Sequence, residues 1–348
     1  MLSISNATRY AVSVVPASDP SGAEVLLAVV RATFRVVKLT KLELAPEQVP
    51  PTLADEYADE PGKSSLVAAS DFAVRKPGAD VIVLGHAHAP GGKPVTELDV
   101  RIEVGDVATR LRVFGDRSWK RALLGLSPSR PEPFRKMPLA WERAFGGTCA
   151  AAGRADGEDR LDANPVGAGF WRNEKDAVDQ PLPNLEDPGA LVKSWKDQPG
   201  SAGTGFVAPD WEPRRAFAGT YDAAWERDRM PLLPDDFDER FWQCAPAALQ
   251  AAAPFRGGER VRLSGLHPAG EIAFELPRDQ VTVDVLLPAE RVATHAAVLD
   301  TLVLQPDEER VSLVWRACIP APRPITSVRA VCVRSTLHPA PLEEAARG

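Results

Sequence analysis

The sequence is short of the features that mark several common protein classes. Its cysteines are few and lie apart, without a CxxC pair or a zinc-ligand pattern: Cys149, Cys244, Cys318 and Cys332. Such usage indicates a reducing compartment. The longest apolar run, residues 25–30, is too short to span a bilayer, and the first residues lack the basic and apolar regions of a signal peptide. We therefore expect a cytoplasmic protein without a membrane partner.

Motifs for nucleotide binding and nucleophilic catalysis are also missing. The sequence has no GxxxxGK[ST] loop, no GxGxxG after a strand, no GxSxG elbow and no HExxH. Its formal net charge of −7 argues against a nucleic-acid partner, which a basic excess would favour. These absences favour a binding protein that needs no cofactor.

Proline, in contrast, is abundant, with 33 among 348 residues. This share is about twice the average and shortens helices. The sequence therefore predicts a mainly β, sandwich-like antiparallel fold with a long loop-rich central insertion and a few short helices. We expect one domain over residues 1–340 and a tail over 341–348. The domain divides into N-terminal strands (8–114), a central loop block (115–250) and C-terminal strands (258–335).

A hairpin over residues 96–114 is the best-specified element. Apolar side chains alternate with polar ones on both sides of a two-residue turn at Gly105 and Asp106. This pattern predicts that Val104 faces Val107, that Val100 faces Leu111 and that Leu98 faces Val113, with Asp99 opposite Arg112 on the other face.

Other elements follow from shorter patterns. Apolar runs predict two strands within residues 10–37 and further strands at 71–74 and 80–84. Short helices are expected at 190–195 and 221–229, and a third helix is expected to begin at 235–238. Six strands are expected after the central block, at 259–263, 271–276, 281–287, 301–305, 310–319 and 328–334.

Residues 115–186 carry the densest set of special residues. Four blocks follow one another: GDRSW, PFRKMPLAWERAFGG, NPVGAGFW and LPNLE. Glycine and proline at this density predict an ordered loop system in place of strands or a helix. The aromatic and apolar anchors argue against disorder: Trp119, Phe134, Met137, Leu139, Trp141, Phe145, Phe170 and Trp171.

These blocks resemble the signature of a bacterial family known as a domain of unknown function, whose members are encoded beside the spike and PAAR genes of type VI secretion systems. Further blocks share the resemblance: HAHAP, PDDFDERFWQCAP, GGERVRLSGL and VSLVWR. The resemblance implies a non-enzymatic adaptor or chaperone that holds a type VI effector or PAAR protein and helps to load it onto the spike, and we expect the effector to be PAAR-linked. The spike protein is a further implied partner.

The resemblance assigns partner binding or loop organisation to a set of residues in the blocks: Asp116, Arg117, Trp119, Pro138, Leu139, Trp141, Glu142, Arg143, Phe145, Gly146, Gly147, Asn164, Pro165, Gly167, Phe170, Asn184 and Glu186. Two interpretations remain open. Buried arginine and carboxylate pairs could tie the loops together, or the aromatic rings could be exposed anchors for a partner.

Charge in this region also allows two interpretations. Residues 110–143 contain nine basic and three acidic side chains, whereas residues 154–187 contain nine acidic and four basic ones. Neighbouring charges could simply pair with each other. Alternatively, the two segments could form a bipolar surface that orients a partner.

Two features of the sequence are enzyme-like. His86 and His88 would share one face of a strand, as metal ligands do, but a third ligand is not evident nearby. The alternative to an adaptor is a hydrolase of polysaccharide or peptidoglycan, in which two carboxylates flank the bond that is cleaved. Its candidate acids are Glu142, Glu186, Asp236 and Asp238.

Overall fold

The computed structural model describes residues 3–150, 158–287, 289, 291–321 and 325–340. The predicted mainly β fold is confirmed, with several antiparallel sheets. Its strands are β1 (Ser3–Ala7), β2 (Ala11–Ser18), β3 (Glu24–Val37), β4 (Lys41–Leu44), β5 (Glu56–Tyr57), β6 (Leu66–Ala68), β7 (Ala79–Val83), β8 (His86–His88), β9 (Glu97–Val104), β10 (Val107–Phe114), β11 (Trp119–Ala122), β12 (Gly125–Pro128), β13 (Lys136–Pro138), β14 (Phe145–Gly146), β15 (Thr148–Ala150), β16 (Glu158–Arg160), β17 (Ala168–Gly169), β18 (Leu185–Glu186), β19 (Gln250–Ala251), β20 (Arg260–Ser264), β21 (Ile272–Glu275), β22 (Val281–Leu286), β23 (Val292–Ala296), β24 (Val298–Gln305), β25 (Arg310–Pro320) and β26 (Ala330–Ser335).

Helices are short throughout the described part of the chain. The α-helices are α1 (Glu174–Ala177) and α2 (Ala223–Asp228), and none of the helices found there is long and apolar enough to cross a bilayer. Single turns of 3-10 helix lie at Pro90–Gly92, Trp141–Arg143, Arg215–Phe217, Glu239–Trp242, Ala247–Leu249, Pro306–Glu308 and Ile325–Ser327. The proline content accounts for this brevity, because proline cannot donate the backbone bond of a helix interior.

The largest sheet has the strand order β19-β7-β24-β25-β3-β2, with β4 paired to β3. Its pairs are antiparallel except for β7 with β24. The central strand β3 is covered on both faces. Leu26, Ala28 and Val30 enter the main core, whereas Leu27 and Val29 pack in a separate cluster with Val314. Burial of both faces explains the continuous apolar run of β3. A strand with one face exposed to solvent would instead alternate apolar and polar residues.

A five-stranded antiparallel sheet has the order β18-β10-β9-β20-β21. Its β9–β10 hairpin has the predicted register, with Val104 opposite Val107, Val100 opposite Leu111, Leu98 opposite Val113 and Asp99 opposite Arg112. A third sheet has the order β1-β26-β22-β23. Residues of all three sheets meet in one hydrophobic cluster, which includes Val30 of β3, Val100 of β9 and Val283 of β22.

The central block differs from its prediction in one respect. It is loop-rich, but it also contains the strands β11 to β18, each of two to four residues. They pair β11 with β12, β13 with β8, β14 with β17, β15 with β16 and β18 with β10. Proline ends β12 and β13, where a missing N–H costs the ladder least. Glycine and proline therefore limit the length of strands here and do not prevent them.

Other predictions have mixed outcomes. Residues 71–74 are not a strand, because the Asp71 carboxylate instead binds the Thr52 N–H (2.8 Å) and Arg31 (3.1 Å). Residues 190–195 are not helical either, since the Asp197 carboxylate folds the segment into a turn. Helix α2 and the C-terminal strands lie where they were expected. The expected tail, residues 341–348, lies outside the described residues.

Candidate functional site

The first and last of the four central blocks, GDRSW and LPNLE, are joined by the buried pair of Arg117 and Glu186. Strand β10 leads directly to Arg117, and Glu186 lies on β18, which pairs with β10. The guanidinium donates to the Glu186 carboxylate and to Pro183 O (2.7 Å), and it lies 3.8 Å from the centre of the Phe114 ring. The second carboxylate oxygen accepts the Val192 N–H (2.8 Å). Both charges are thus compensated inside the protein.

A second cluster, at the surface, ties the PFRKMPLAWERAFGG block to these two blocks. Arg143 donates to Asp116 (2.7 Å) and to the Asn184 side chain (3.1 Å). The Asn184 amide donates in turn to Asp116 (3.0 Å) and to Phe114 O (3.1 Å). Because Arg143 and Asp116 are exposed, this ion pair contributes little to stability. Its role is to position the ends of the loops.

Asn164 joins the NPVGAGFW block to the PFRKMPLAWERAFGG block by hydrogen bonds. Its buried amide donates to Trp141 O (2.9 Å) and to Phe145 O (3.1 Å), and the Gly147 N–H donates to Asn164 O (2.8 Å). The hydroxyl of Thr148 donates to Pro165 O (3.2 Å). The contact is close enough to require glycine, since a Cβ at Gly167 would lie 2.4 Å from the Asn164 amide nitrogen.

The aromatic rings of the blocks lie inside the protein. Trp119, Trp141, Phe145 and Phe170 are all at most 4% exposed. Trp141 donates to Phe206 O (2.9 Å) and meets the Trp211 ring edge-on, with 5.6 Å between the ring centres. The hypothesis of exposed aromatic anchors is therefore wrong for these four rings, and their place is in the packing of the loops.

Pro138 and Leu139 belong to the same packing. Pro138 ends β13 opposite His86, and the buried Leu139 donates its N–H to Gly85 O (2.9 Å). Phe170 donates its N–H to Gly146 O (3.0 Å), which adds the GAGF sequence to the β14–β17 pair. The predicted residues of the centre thus form one interlocked unit.

The family model described as "Uncharacterized protein conserved in bacteria (DUF2169)" matches residues 21–316. The chain belongs to this family. No curated protein and no solved structure matches it. The DUF2169 match contains every block of the interlocked unit, along with β3, the β9–β10 hairpin and most of β25.

The carboxylates proposed for a hydrolase are held by separate partners in this DUF2169 chain. Glu142 accepts the N–H and the hydroxyl of Ser65, at 2.9 and 3.0 Å. Glu186 is paired with Arg117. Asp236 accepts the N–H and the hydroxyl of Thr220, which lower the pKa of its carboxyl. These contacts tie Glu142 and Glu186 to distant segments of the chain and Asp236 to a nearby loop.

Asp238, the fourth acid, caps the 3-10 turn that follows it. It accepts the Arg240 N–H (2.9 Å) and pairs with the Arg240 guanidinium, and these contacts lower the pKa of Asp238. The turn confirms that acidic residues begin a helical segment here, although the segment is only the 3-10 turn Glu239–Trp242.

His86 and His88 do share one face of a strand, as predicted. Asp307 lies between them and contacts His86 Nδ1 and His88 Nε2, each at 2.6 Å. The sequence did not reveal this third residue, because it lies far from both histidines along the chain. Burial raises the pKa of Asp307, but the two imidazoles outweigh this effect and the pKa falls below its ordinary value. The described residues contain no group of three His, Cys, Asp or Glu side chains arranged to hold a metal ion.

The basic segment pairs largely with nearby acids. Arg112 donates to Asp99 (2.7 Å) and Glu97 (3.1 Å), and Lys120 donates to Asp179 (2.7 Å). These contacts favour the interpretation that neighbouring charges pair locally. Part of the acidic segment, residues 151–157, lies outside the described residues.

Sequence reasoning missed a buried ionic cluster beneath the large sheet. Lys76 Nζ donates to Asp80 (2.6 Å) and to the Thr301 hydroxyl (2.8 Å), while Arg316 pairs with Asp300 (2.5 Å). Desolvation lowers the pKa of Lys76, but Asp80 leads the charges that outweigh it and raise the pKa overall. The sequence did contain a sign of this cluster, because Asp80 and Asp300 are single charged residues inside the largely apolar strands β7 and β24. A charged side chain in such a strand is buried only when it is paired.

Sequence reasoning also missed an open backbone edge beside the interlocked unit. Strand β18 pairs with β10 only at Arg112 and Val113. The same register would place Pro188 opposite Arg110, and proline has no N–H to donate, so the pairing stops. Alternate residues of an antiparallel strand direct their backbone groups to opposite sides. Ala108 and Arg110 direct their backbone N–H and C=O groups away from β9, towards the space that a longer β18 would fill. These groups bond to none of the described residues.

A hollow of about 510 Å³ lies along this edge. We call it the β10 groove. Its walls are formed by residues 108–111 of β10, by residues 187–188, by residues 200–203 and by residues 246–248. Alanine and glycine make up most of the last two walls, so the backbone edge is accessible to an extended chain.

Proposed function

We propose that the protein is a non-enzymatic adaptor that binds an effector of a type VI secretion system, in the cytoplasm, and assists its loading onto the secretion spike. The resemblance of the central blocks to secretion-linked adaptors supports the proposal, and these blocks lie within the DUF2169 match. The client is an effector linked to a PAAR domain or the PAAR protein itself.

The open edge of β10 is the observation that carries this proposal. An extended client segment can lie in the β10 groove and extend the sheet at the position that β18 leaves unoccupied. Ala108 and Arg110 offer the backbone donors and acceptors for it. Recognition by strand addition draws affinity from main-chain hydrogen bonds and needs neither a cofactor nor ATP.

The interlocked unit supplies the rigidity that such binding requires. Arg117 fixes β18 and the start of the central block relative to β10, and the ring of Trp141 lies beneath Gly203 in the wall of the groove. A preformed edge avoids the entropic cost of ordering a flexible loop when the client binds.

The test is co-expression of the full chain with the product of the adjacent PAAR or effector gene, followed by affinity capture and size-exclusion chromatography. We expect a defined complex with the wild-type chain. Ala108→Pro should weaken it by about tenfold or more, because proline removes the outward N–H and places its ring in the groove. Ala108 donates no bond to β9, so the hairpin should keep its ladder.

Ala108→Ser is the matched control, since it keeps the N–H and should bind as the wild type does. Ala248→Trp provides a second variant that fills the groove without altering β10. Circular dichroism establishes that each variant is folded. The proposal fails if the wild-type chain elutes alone while the client is soluble, or if both groove variants bind normally.

A further inference from the structure

The β11–β12 hairpin ends in two leucines whose side chains are almost wholly exposed to solvent. Leu123 is 100% exposed and Leu124 is 93% exposed, whereas the remaining large apolar side chains at the surface reach at most 76% among the described residues. Singly exposed apolar residues are ordinary on protein surfaces. Two adjacent ones at the tip of a projecting hairpin are a different feature, because together they form one continuous apolar knob.

The fold gives no reason for leucine at this tip. Ala122 pairs with Gly125, so Leu123 and Leu124 form the turn, and Gly125 takes the left-handed conformation at φ +83° that such a turn needs. Turn positions favour small or polar residues such as Asn, Asp, Gly and Ser. Neither leucine packs against the core, and therefore neither stabilises the hairpin that carries it.

The hairpin itself is held firmly at its base. Trp119 is fully buried, its N–H donates to Gln180 O (3.0 Å), and its carbonyl accepts the Asp179 N–H (2.8 Å). Ser129 donates its N–H to Ser118 O (2.8 Å), which closes the base of the hairpin. The knob is consequently presented on a rigid support, as anchor residues of a binding surface usually are.

Charge beside the knob indicates what it fits. Lys120 and Arg121 are exposed on the strand that leads to it, and Arg121 forms no ion pair with any residue the structure describes. A complementary surface would pair an apolar pocket with carboxylates at its rim, since such a rim favours encounter with Arg121, whereas Lys120 is already paired with Asp179.

We propose that the tip formed by Leu123 and Leu124 is a second client contact, which inserts into an apolar pocket bordered by carboxylates on the effector or PAAR protein. The identity of the partner rests on the proposed adaptor function. The tip is separate from the β10 groove in sequence and in its lining residues. The groove would bind client backbone, whereas the tip would recognise the surface of the folded client.

The experiment measures binding of the purified client to the full chain by isothermal titration calorimetry. The double variant Leu123→Ala and Leu124→Ala should bind about 100-fold more weakly, because the contact loses most of its buried apolar area. Its melting temperature should equal that of the wild type, since both side chains lie outside the packed structure. Arg121→Glu should weaken binding as well, and added salt should reduce the difference.

The matched control is the double variant Leu53→Ala and Val292→Ala, which removes two other exposed apolar side chains and should bind normally. If the tip variant binds the client within about twofold of the wild type, while Ala108→Pro does not bind, the adaptor function stands and the tip proposal is overturned. Absence of binding by the wild-type chain overturns both. Tip-dependent dimerisation in sedimentation, or tip-dependent binding to vesicles of phosphatidylcholine and phosphatidylserine, would also overturn the client assignment.

Discussion

At the scale of single residues, Arg117 shows how a charge can serve the interior of a β protein. Its guanidinium lies between the Glu186 carboxylate, Pro183 O and the Phe114 ring, and Glu186 uses its remaining oxygen to hold the Val192 N–H. The pair therefore joins three separate loop segments. Such a contact specifies one arrangement of the loops, since an alternative arrangement would leave two charges buried without partners.

Arg117→Ala should destabilise the protein by about 3–5 kcal/mol, because it leaves the Glu186 carboxylate buried and uncompensated. Urea denaturation followed by tryptophan fluorescence measures the loss. Lys63→Ala is the control, since its ion pair with Glu60 is exposed and should contribute less than about 1 kcal/mol.

A double variant separates the charge from the packing. Arg117→Met with Glu186→Leu removes both charges and keeps apolar volume, so it should recover a substantial part of the stability lost in Arg117→Ala. Equal destabilisation by the single and double variants would mean that the hydrogen bonds to Pro183 and Val192 matter more than charge compensation.

At the scale of elements, the segment of residues 200–203 forms a wall of the β10 groove and covers the Trp141 ring. The covering is close enough that a Cβ at Gly203 would lie 2.6 Å from the indole, whereas a Cβ at Gly200 would meet nothing within 4 Å. The two glycines occupy one segment and differ in what lies beneath them.

Gly203→Ala should therefore destabilise the protein by about 1–3 kcal/mol, as overpacking does, while Gly200→Ala should be nearly neutral. Thermal melts of both variants measure the difference. A similar melting temperature for both would show that the segment lifts away from Trp141 at little cost, and the groove would then be less rigid than the structure indicates.

The elements also differ in how well the sequence predicts them. Strands β9 and β10 alternate in polarity around a two-residue turn, so local pattern alone determined their register. Some short strands of the central block, such as β13, were missed because their partners lie far away in sequence, as β8 does. Pairing of this kind depends on tertiary packing, which local propensity does not encode.

The sequence predicted which residues belong to the site, but it did not predict which of their side chains are buried. The blocks identified Arg117, Asn164 and Glu186, which the structure brings into contact with neighbouring blocks. The buried state of Trp119 and Trp141 could not be predicted, because a four-residue strand and a single 3-10 turn are too short to show a periodicity that separates an inner from an outer face. The open edge of β10 arises from an absent partner strand, and no motif marks it.

At the scale of the whole molecule, Asp279 connects distant parts of the chain. Its carboxylate accepts bonds from Tyr10 (2.5 Å) and Ser335 (2.6 Å), and from the N–H groups of Thr336 (2.9 Å) and Leu337 (3.0 Å). Burial raises the pKa of Asp279, but these donors outweigh burial and hold the pKa below its ordinary value. The folded state is thus stabilised by the ionised carboxylate.

The sign of the pH dependence follows from the lowered pKa. The contribution of Asp279 to stability is complete above the ordinary aspartate pKa of about 3.9, and it is lost as the pH falls through the lower folded-state pKa. Asp279→Asn should lower the melting temperature near neutral pH, by an amount equivalent to about 1–3 kcal/mol. The difference from the wild type should shrink as the pH falls towards about 3.

Asp59→Asn is the control for this titration, because Asp59 is exposed and its carboxylate accepts no bond from the described residues. Melting curves across the acid range should coincide for this control and the wild type. A constant difference between Asp279→Asn and the wild type at every pH would assign the effect to lost hydrogen bonds alone.

Strand β3 has a consequence for synthesis on the ribosome. It lies between β2, its immediate neighbour in sequence, and β25, which starts at Arg310 and is translated long after β3. Eleven residues of β3 pair with β25. A nascent chain therefore carries an apolar strand with one unpaired edge while all the residues between β3 and β25 are translated, and the large sheet can be completed only after β25 emerges. General chaperones of the cell should accordingly meet this chain before it meets any client.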